Sequence, residues 1–257
     1  VFYELEIYQY LIIFVGVFFA GLVDSIAGGG GLITIPLYIS VGLPESLILG
    51  TNKSVSSIGT FSSITRFIRN KAIKWKEGSI AIVFSLTGAF IGARASKVLS
   101  SEYMIYILIV VLPLLLFLGK KINFNRDEVS EKLNNFQLFF RSALTGLCIG
   151  FYDGFFGPGT GTFLIIALFL FLRMNALNAN ATARVLNFTS NIASFIYFAS
   201  AGSIAWKVTL IGAIGSILGN WIGSGLILTR SKDVIKPVFN FVLLILFIKC
   251  IHTLYTT

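Results

Sequence analysis

Two aspartates, two lone bases and two runs of glycine are the residues of this chain with chemistry to do. Asp24 precedes Gly28-Gly29-Gly30-Gly31, and Asp153 precedes Gly157-Pro158-Gly159-Thr160-Gly161. Lys53 and Arg184 follow within Gly50-Thr51-Asn52-Lys53-Ser54 and Ala181-Thr182-Ala183-Arg184-Val185, stretches without other charge. A cation inside an apolar span costs roughly 2.5–3.5 kcal/mol on insertion scales and usually faces a cavity or a partner. A glycine run cannot sit comfortably inside a helix. It frees N–H groups at the start of the next helix, where the positive end of the helix dipole favours an anion. Two broken helices and two cations therefore read as an anion site. Its candidate ligands are Gly28, Gly29, Gly30, Asn52 and Lys53 from the first copy, and Gly157, Gly159, Thr160, Gly161, Arg184, Asn187 and Asn191 from the second. Asn187 and Asn191 share Arg184's helical face at i+3 and i+7. Ser56 and Thr60 hold the matching places in the first copy, so the two half-sites are chemically unequal.

Each feature also has a plainer reading. The glycines could serve a tight turn or close packing. The bases could snorkel, or pair with Asp24 or Asp153 to hold helices together. The aspartates could cap the short helices, carry protons, or act as counter-charges. A nucleotide phosphate loop is excluded, because neither its lysine nor its strand–helix setting is present. Nothing points to an enzyme: the one histidine, His252, lies at the far C-terminal end, and no Ser-His or Cys-His pairing is plausible. No metal site, cofactor or nucleic-acid partner is expected. Cys148 and Cys250 lie in apolar stretches and are expected to be buried free thiols without a disulfide.

The elements that position these residues are membrane helices. Of 257 residues, 56% are hydrophobic and 12% charged, against about 25% charged in soluble domains; the mean hydropathy is +0.87. Most of the net charge of +9 sits at span edges, as the positive-inside rule requires. Spans are expected at 8–27, 79–98, 103–119, 137–155, 206–228 and 235–255, with long polar-faced helices at 45–70 and 177–200. The apolar segments 32–42 and 160–172 are too short to cross a core of about 30 Å and read as half-helices. The first span flows into the glycine run without basic residues before it, which argues against a cleaved signal peptide.

The chain repeats itself. An offset of 129 aligns Asp24 with Asp153, Gly28 with Gly157 and Gly30 with Gly159; an offset of 131 aligns Thr51 with Thr182, Lys53 with Arg184 and Trp75-Lys76 with Trp206-Lys207. The expected organisation is a first transmembrane repeat over 1–119, a cytoplasmic linker at 120–136 and a second repeat over 137–257. With Lys120, Lys121, Arg126 and Lys132 inside, an odd segment count per half also places the basic turn Arg69/Lys71/Lys74/Lys76 inside and the N-terminus outside. The fold expected is an all-α polytopic membrane protein of two inverted repeats, about 8 full spans and 2 half-helices. Four full spans per half is the competing count and would make the repeats parallel. Gly88/Gly92 and Gly215/Gly219/Gly223 are spaced for close helix contact; if exposed, such faces would allow a homodimer.

The segment from Gly21 to Pro36 with Gly50-Thr51-Asn52-Lys53, and its second copy Gly150 to Gly161 with Thr182-Ala183-Arg184-Val185, resembles the TauE/SafE sulfite-exporter-like (4-toluene sulfonate uptake permease-like) family over nearly the whole chain. The resemblance implies a multi-pass inner-membrane permease for sulfur-containing oxyanions: sulfite, organosulfonates such as sulfoacetate or taurine, or thiosulfate. The family's motif residues fall on Asp24, Gly28–Gly30, Asn52, Lys53, Asp153, Gly157–Gly159, Thr160, Gly161 and Arg184. Gly31, a fourth glycine in the first motif, departs from the pattern. The residues alone give "anion"; the resemblance gives "sulfur". An anion channel is the alternative, followed by a non-transport membrane subunit or an embedded enzyme, which would leave the duplicated charges unexplained.

Overall fold

The computed structural model describes residues 3–96, 98 and 133–256, with only the backbone described at 231, 232, 243 and 245–256. Everything described is helix, turn or irregular connection, with no strand among the described residues. In chain order the helices are α1 (Ile7–Ala27), α2 (Gly31–Ser40), α3 (Glu45–Arg69), α4 (Trp75–Ala95), α5 (Asn135–Phe155), α6 (Thr160–Leu170), α7 (Ala176–Ser200) and α8 (Trp206–Thr256). The expected span 103–119, the turn Ser100-Ser101-Glu102 and residues 120–132 of the expected linker, with their four bases, lie outside the described residues.

Local chemistry sets the helix ends. Glu6 and Gln9 form a reciprocal capping box at the start of α1, and Asn134 and Gln137 form one at the start of α5. Asn175 caps α7 by accepting from the Asn178 N–H at 2.8 Å. The starts of α2 and α6 are made by glycine. Gly28 and Gly159 take φ +80° and +83°, a region that L side chains rarely occupy. At 10 and 11 residues, α2 and α6 span about 15 Å each at 1.5 Å per residue, half of a bilayer core.

Among the described residues three helical segments, Ile7–Ala27, Trp75–Ala95 and Trp206–Arg230, are long and apolar enough to cross a membrane. Their outward faces carry Leu11, Val15 and Phe19 on α1, Val83 and Phe90 on α4, and Leu210 and Ile214 on α8, all exposed. In a membrane protein these side chains meet lipid. α3 and α7 are longer, at 25 residues each, but bury Ser, Thr, Asn and one base apiece.

Helix pairing follows the small residues. α1 lies along α8 and α5 along α4. A Cβ built on Gly219 would stand 2.1 Å from the Phe18 carbonyl oxygen, and one on Gly92 2.1 Å from that of Phe151. These glycine faces are consumed by helix contacts inside the chain, the close packing that their spacing predicts. α3 packs on α8, α4 packs on α7, and α3 meets α7 in the middle. Two matching bonds tie these layers. The Ala205 N–H donates to Thr51 Oγ1 at 3.0 Å and the Lys74 N–H donates to Thr182 Oγ1 at 3.1 Å.

The segments expected at 206–228 and 235–255 are two helical stretches within α8, which meet at a break where Arg230 leaves helical geometry (φ −140°, ψ 41°), at the start of the expected polar turn Arg230-Ser231-Lys232-Asp233. One expectation is corrected. Cys148 is exposed on α5, because it falls between the buried positions Thr145, Gly146 and Gly150 and so faces outward. For Cys250 only the backbone is described.

Candidate anion site between the two broken helices

The two glycine breaks meet. A Cβ on Gly28 would stand 2.1 Å from the Thr162 nitrogen, and one on Gly161 would stand 2.7 Å from Gly28 Cα. Only glycine on both sides allows the backbones this close. The contact is fastened by side chains of the second half: Thr162 Oγ1 donates to the Ala27 carbonyl at 2.9 Å and Asn180 Nδ2 donates to that of Ile26 at 2.6 Å. These bonds satisfy carbonyls that a helix C-terminus leaves open.

Each base pairs with the carboxylate of the other half. Lys53 Nζ lies 2.7 Å from Asp153 Oδ1, both side chains 2% exposed. Arg184 Nη1 lies 3.0 Å from Asp24 Oδ2, with Arg184 sealed and Asp24 13% exposed. Asp153 also accepts from the Ser190 hydroxyl at 2.6 Å. Asp24 instead accepts from the Gly30 N–H at 3.0 Å through Oδ1, capping the start of α2. The four charges sum to zero. Arg184 Nε and Nη2 are buried without a hydrogen-bond partner. Glycine also makes room for the bases: a Cβ on Gly157 would stand 2.8 Å from Lys53 Nζ, and one on Gly161 2.5 Å from Arg184 Nη2.

A cavity lies between the starts of α2 and α6. It is walled by Asp24, Gly29, Gly30, Gly31, Asn52, Lys53 and Ser56 from the first half, and by Asp153, Gly157, Gly159, Thr160, Gly161, Asn187 and Asn191 from the second. The space open to the centre of a water molecule is about 20 Å³, enough for one or two waters. The leading N–H groups of a helix have no partners within it, and both helices direct that end to this cavity's wall. The Thr34 hydroxyl donates to Asn52 Oδ1 at 2.5 Å. That bond leaves the Asn52 amide nitrogen free to face Gly31, whose Cβ position is 3.6 Å away. The wall offers one cation, Lys53, with amide donors, a hydroxyl and helix N-termini to an anion.

The chain matches the family model "Sulfite exporter TauE/SafE" over residues 13–250. It belongs to the TauE/SafE family. Within that family it is 39% identical to a probable membrane transporter protein of Haemophilus influenzae over 225 residues, 86% of each chain. It is 34% identical to the probable membrane transporter protein ORF9 of a Sinorhizobium species, over 96% of this chain and 94% of the relative. It is 32% identical to the probable membrane transporter protein YfcA of Escherichia coli K12, over 91% and 86%. No solved structure matches the chain significantly. This TauE/SafE chain is therefore a membrane transporter, and its relatives are named as transporters rather than enzymes.

Of the site residues expected from sequence, ten of the twelve candidate ligands and both aspartates line the cavity. Gly28 and Arg184 do not. Gly28 is packed against Gly161 and Thr162, and Arg184 lies behind Gly161 against Asp24. Gly31 and Ser56 line it without having been chosen; both were visible, Gly31 as the extra glycine and Ser56 as the counterpart of Asn187. Ser190, Asn180 and Thr34 carried no signal, since Ser, Thr and Asn are scattered along α3 and α7. Among the described residues no cluster of His, Cys, Asp and Glu could hold a metal ion.

Proposed function

We propose that this TauE/SafE member is a secondary transporter for small sulfur-containing oxyanions, holding the anion between the N-termini of α2 and α6 beside Lys53. The observation that carries the reading is the cavity itself. Two helix starts, Lys53, Asn52, Asn187 and Asn191 converge on it, and Lys53, Asn52, Asn187 and Asn191 are all buried. Sulfite, thiosulfate and organosulfonates such as sulfoacetate or taurine are the substrate class; the family's name supports the sulfur, and the donors support the anion.

The mechanism follows from the ion pairs. With room for only one or two waters, the cavity must widen to take a tetrahedral oxyanion. The anion then competes with Asp153 for Lys53. Arg184 is reached only if Gly161 or Asp24 shifts. Protonation of Asp24 would weaken its hold on Arg184 and is the step through which a proton gradient would couple. The antiparallel repeat reading gives alternating access a physical basis. It is supported by the matched bonds Ala205–Thr51 and Lys74–Thr182, by the reciprocal α1–α8 and α5–α4 pairing, and by the crossed salt bridges. Residues 1–119 and 137–257 as repeats, an inner-membrane location and a cytoplasmic 120–136 belong to the same proposal.

The test is a thermal-shift panel on purified, detergent-solubilised protein with sulfite, thiosulfate, sulfoacetate, taurine and chloride. One sulfur anion is expected to stabilise the protein saturably where chloride does not. Equal response to all anions, or to none, contradicts the proposal. Flux in vesicles separates a carrier from a channel: a carrier's radiotracer uptake is accelerated by unlabelled substrate on the far side.

A further inference from the structure

A second polar crevice lies beyond Asp24, between α1, α3 and α8. It shares Asp24, Gly30 and Ser56 with the central cavity and adds Thr34, Ser216 and Asn220. Asn220 is 1% exposed. Its Nδ2 donates to the Ser216 carbonyl at 3.0 Å and to Ser216 Oγ at 3.3 Å, which leaves Oδ1 buried with no hydrogen-bond partner. A buried carbonyl oxygen without a partner costs about 1–3 kcal/mol, so this acceptor is built for an occupant that donates to it or coordinates it.

The lining defines that occupant. Asp24 is the only charged residue on the crevice wall; its polar side-chain neighbours are Thr34, Ser56, Ser216 and Asn220, and Val17, Ala20 and Val55 add an apolar side. With the Asn220 amide nitrogen engaged by Ser216, one carboxylate, the Asn220 oxygen and hydroxyls suit a hard cation of low charge. The space open to a water centre is about 10 Å³, one water's worth and the size of Na⁺ or hydronium, and a wall whose one charge is the Asp24 carboxylate repels an oxyanion. Charge supplies the link to transport. Lys53, Arg184, Asp24 and Asp153 cancel, so a bound oxyanion adds uncompensated negative charge at low dielectric. One positive charge on the far side of Asp24 offsets a monoanion fully and a dianion such as thiosulfate in part.

We propose that this crevice binds a single monovalent cation, Na⁺ or hydronium, on Asp24 and Asn220, and that its occupancy favours the anion in the adjoining cavity. A hydronium would act by passing its proton to an Asp24 oxygen. The groups facing Asp24 are Arg184 on α7 and, across the central cavity, Lys53 on α3 with its partner Asp153 on α5; α2 and α8 bring no charge to the crevice wall. The coupling half of this inference rests on the anion-transport reading; the cation site itself does not.

The experiment uses the purified full chain in detergent. Its melting temperature is followed in NaCl against choline chloride at constant chloride and pH, and in choline chloride as pH falls from 8 to 5.5. Both series are run alone and with thiosulfate, whose charge is fixed over that range. Asn220→Ala and the near-isosteric Asn220→Asp are compared with the unmodified chain. For a Na⁺ site, stabilisation rises saturably with Na⁺, the half-point shifts about tenfold or more in Asn220→Ala, and Asn220→Asp retains it. For hydronium, Na⁺ does nothing, and the stabilisation seen on acidification shifts to lower pH in Asn220→Ala. No response to Na⁺, together with a pH response that Asn220→Ala leaves unchanged, overturns the proposal. Thiosulfate binding that ignores both cations removes the coupling and leaves the anion site standing. A cation response without stabilisation by any sulfur anion in the panel leaves the cation site standing and removes the anion reading.

Discussion

The two buried ion pairs occupy equivalent places in the repeat yet are built differently. Lys53–Asp153 is closed: both partners are sealed, and Asp153 is further held by Ser190. Arg184–Asp24 is open at one end: Asp24 is partly exposed and borders both polar cavities, and Arg184 keeps two buried donors without partners. A sealed pair is costly to break and cheap to keep, whereas a pair with one accessible carboxylate can respond to an ion or proton. The sequence holds the same constellation twice, and the residues around each copy separate a fixed partner from a responsive one.

Breaking the closed pair gives the largest expected effect. Lys53→Ala leaves Asp153 as an uncompensated buried charge and should destabilise the protein by about 3–5 kcal/mol, read from unfolding in detergent. Lys53→Met with Asp153→Asn should recover most of that loss. Asp24→Asn should cost less, because Asp24 is partly exposed and an Asn oxygen can still accept from the Gly30 N–H. It should instead flatten the pH dependence of uptake into vesicles. If Asp24→Asn destabilises as much as Lys53→Ala, the contrast between the pairs fails.

The glycines sharpen the comparison next. Gly28→Ala places a Cβ 2.1 Å from the Thr162 nitrogen at a backbone φ of +80°, so it should prevent the two breaks from meeting and sharply lower the yield of folded protein. Gly31→Ala meets nothing closer than 3.5 Å. It should fold normally and weaken binding of the bulkier sulfonates before that of sulfite, measured by thermal shift. Thr51→Val and Thr182→Val each remove the acceptor of one backbone N–H, buried at Ala205 and half-buried at Lys74, and should cost about 1–3 kcal/mol. Similar losses at both would strengthen the repeat reading; a large loss at only one would weaken it.

The smallest effect belongs to the surface pair. Glu4, outside the spans, is held below the ordinary carboxylate range by its hydrogen bond to Lys207 and by that residue's charge. Its contribution is present above the ordinary glutamate range and is lost as pH falls through the lowered value. Glu4 is exposed and screened, so Glu4→Gln should leave the melting temperature at pH 7 nearly unchanged.

Much of this was legible because membrane physics leaves few options. Six of the eight described helices begin and end within two residues of where apolar length and the Gly, Pro and Asn punctuation place them. α4 begins four residues early, since Trp75-Lys76-Glu77 is polar yet helical, and α8 breaks at Arg230, where the polar turn is expected. The two breaks were visible in Asp24, Gly28–Gly31, Asp153 and Gly157–Gly161, because lone charges and glycine runs are expensive at membrane depth. Which carboxylate takes which base was not visible. Asp24 and Asp153 are equivalent in sequence, and only the approach of Gly28 to Gly161 brings the halves close enough to cross-pair. Arg184's position behind Gly161, rather than on the cavity wall, follows from the same approach. Cys148 was misplaced because an apolar neighbourhood in a membrane helix does not distinguish a core face from a lipid face.

The measurement closest to the central claim is binding of the sulfur anions to the Lys53→Met/Asp153→Asn protein, compared with the unmodified chain by thermal shift. The double change removes the closed pair without altering net charge or leaving an unpaired ion, so the fold should survive. The account predicts a folded protein that the sulfur anion no longer stabilises. A folded double variant that binds the anion as tightly as the unmodified chain would show that Lys53 holds helices together and that the anion is held elsewhere.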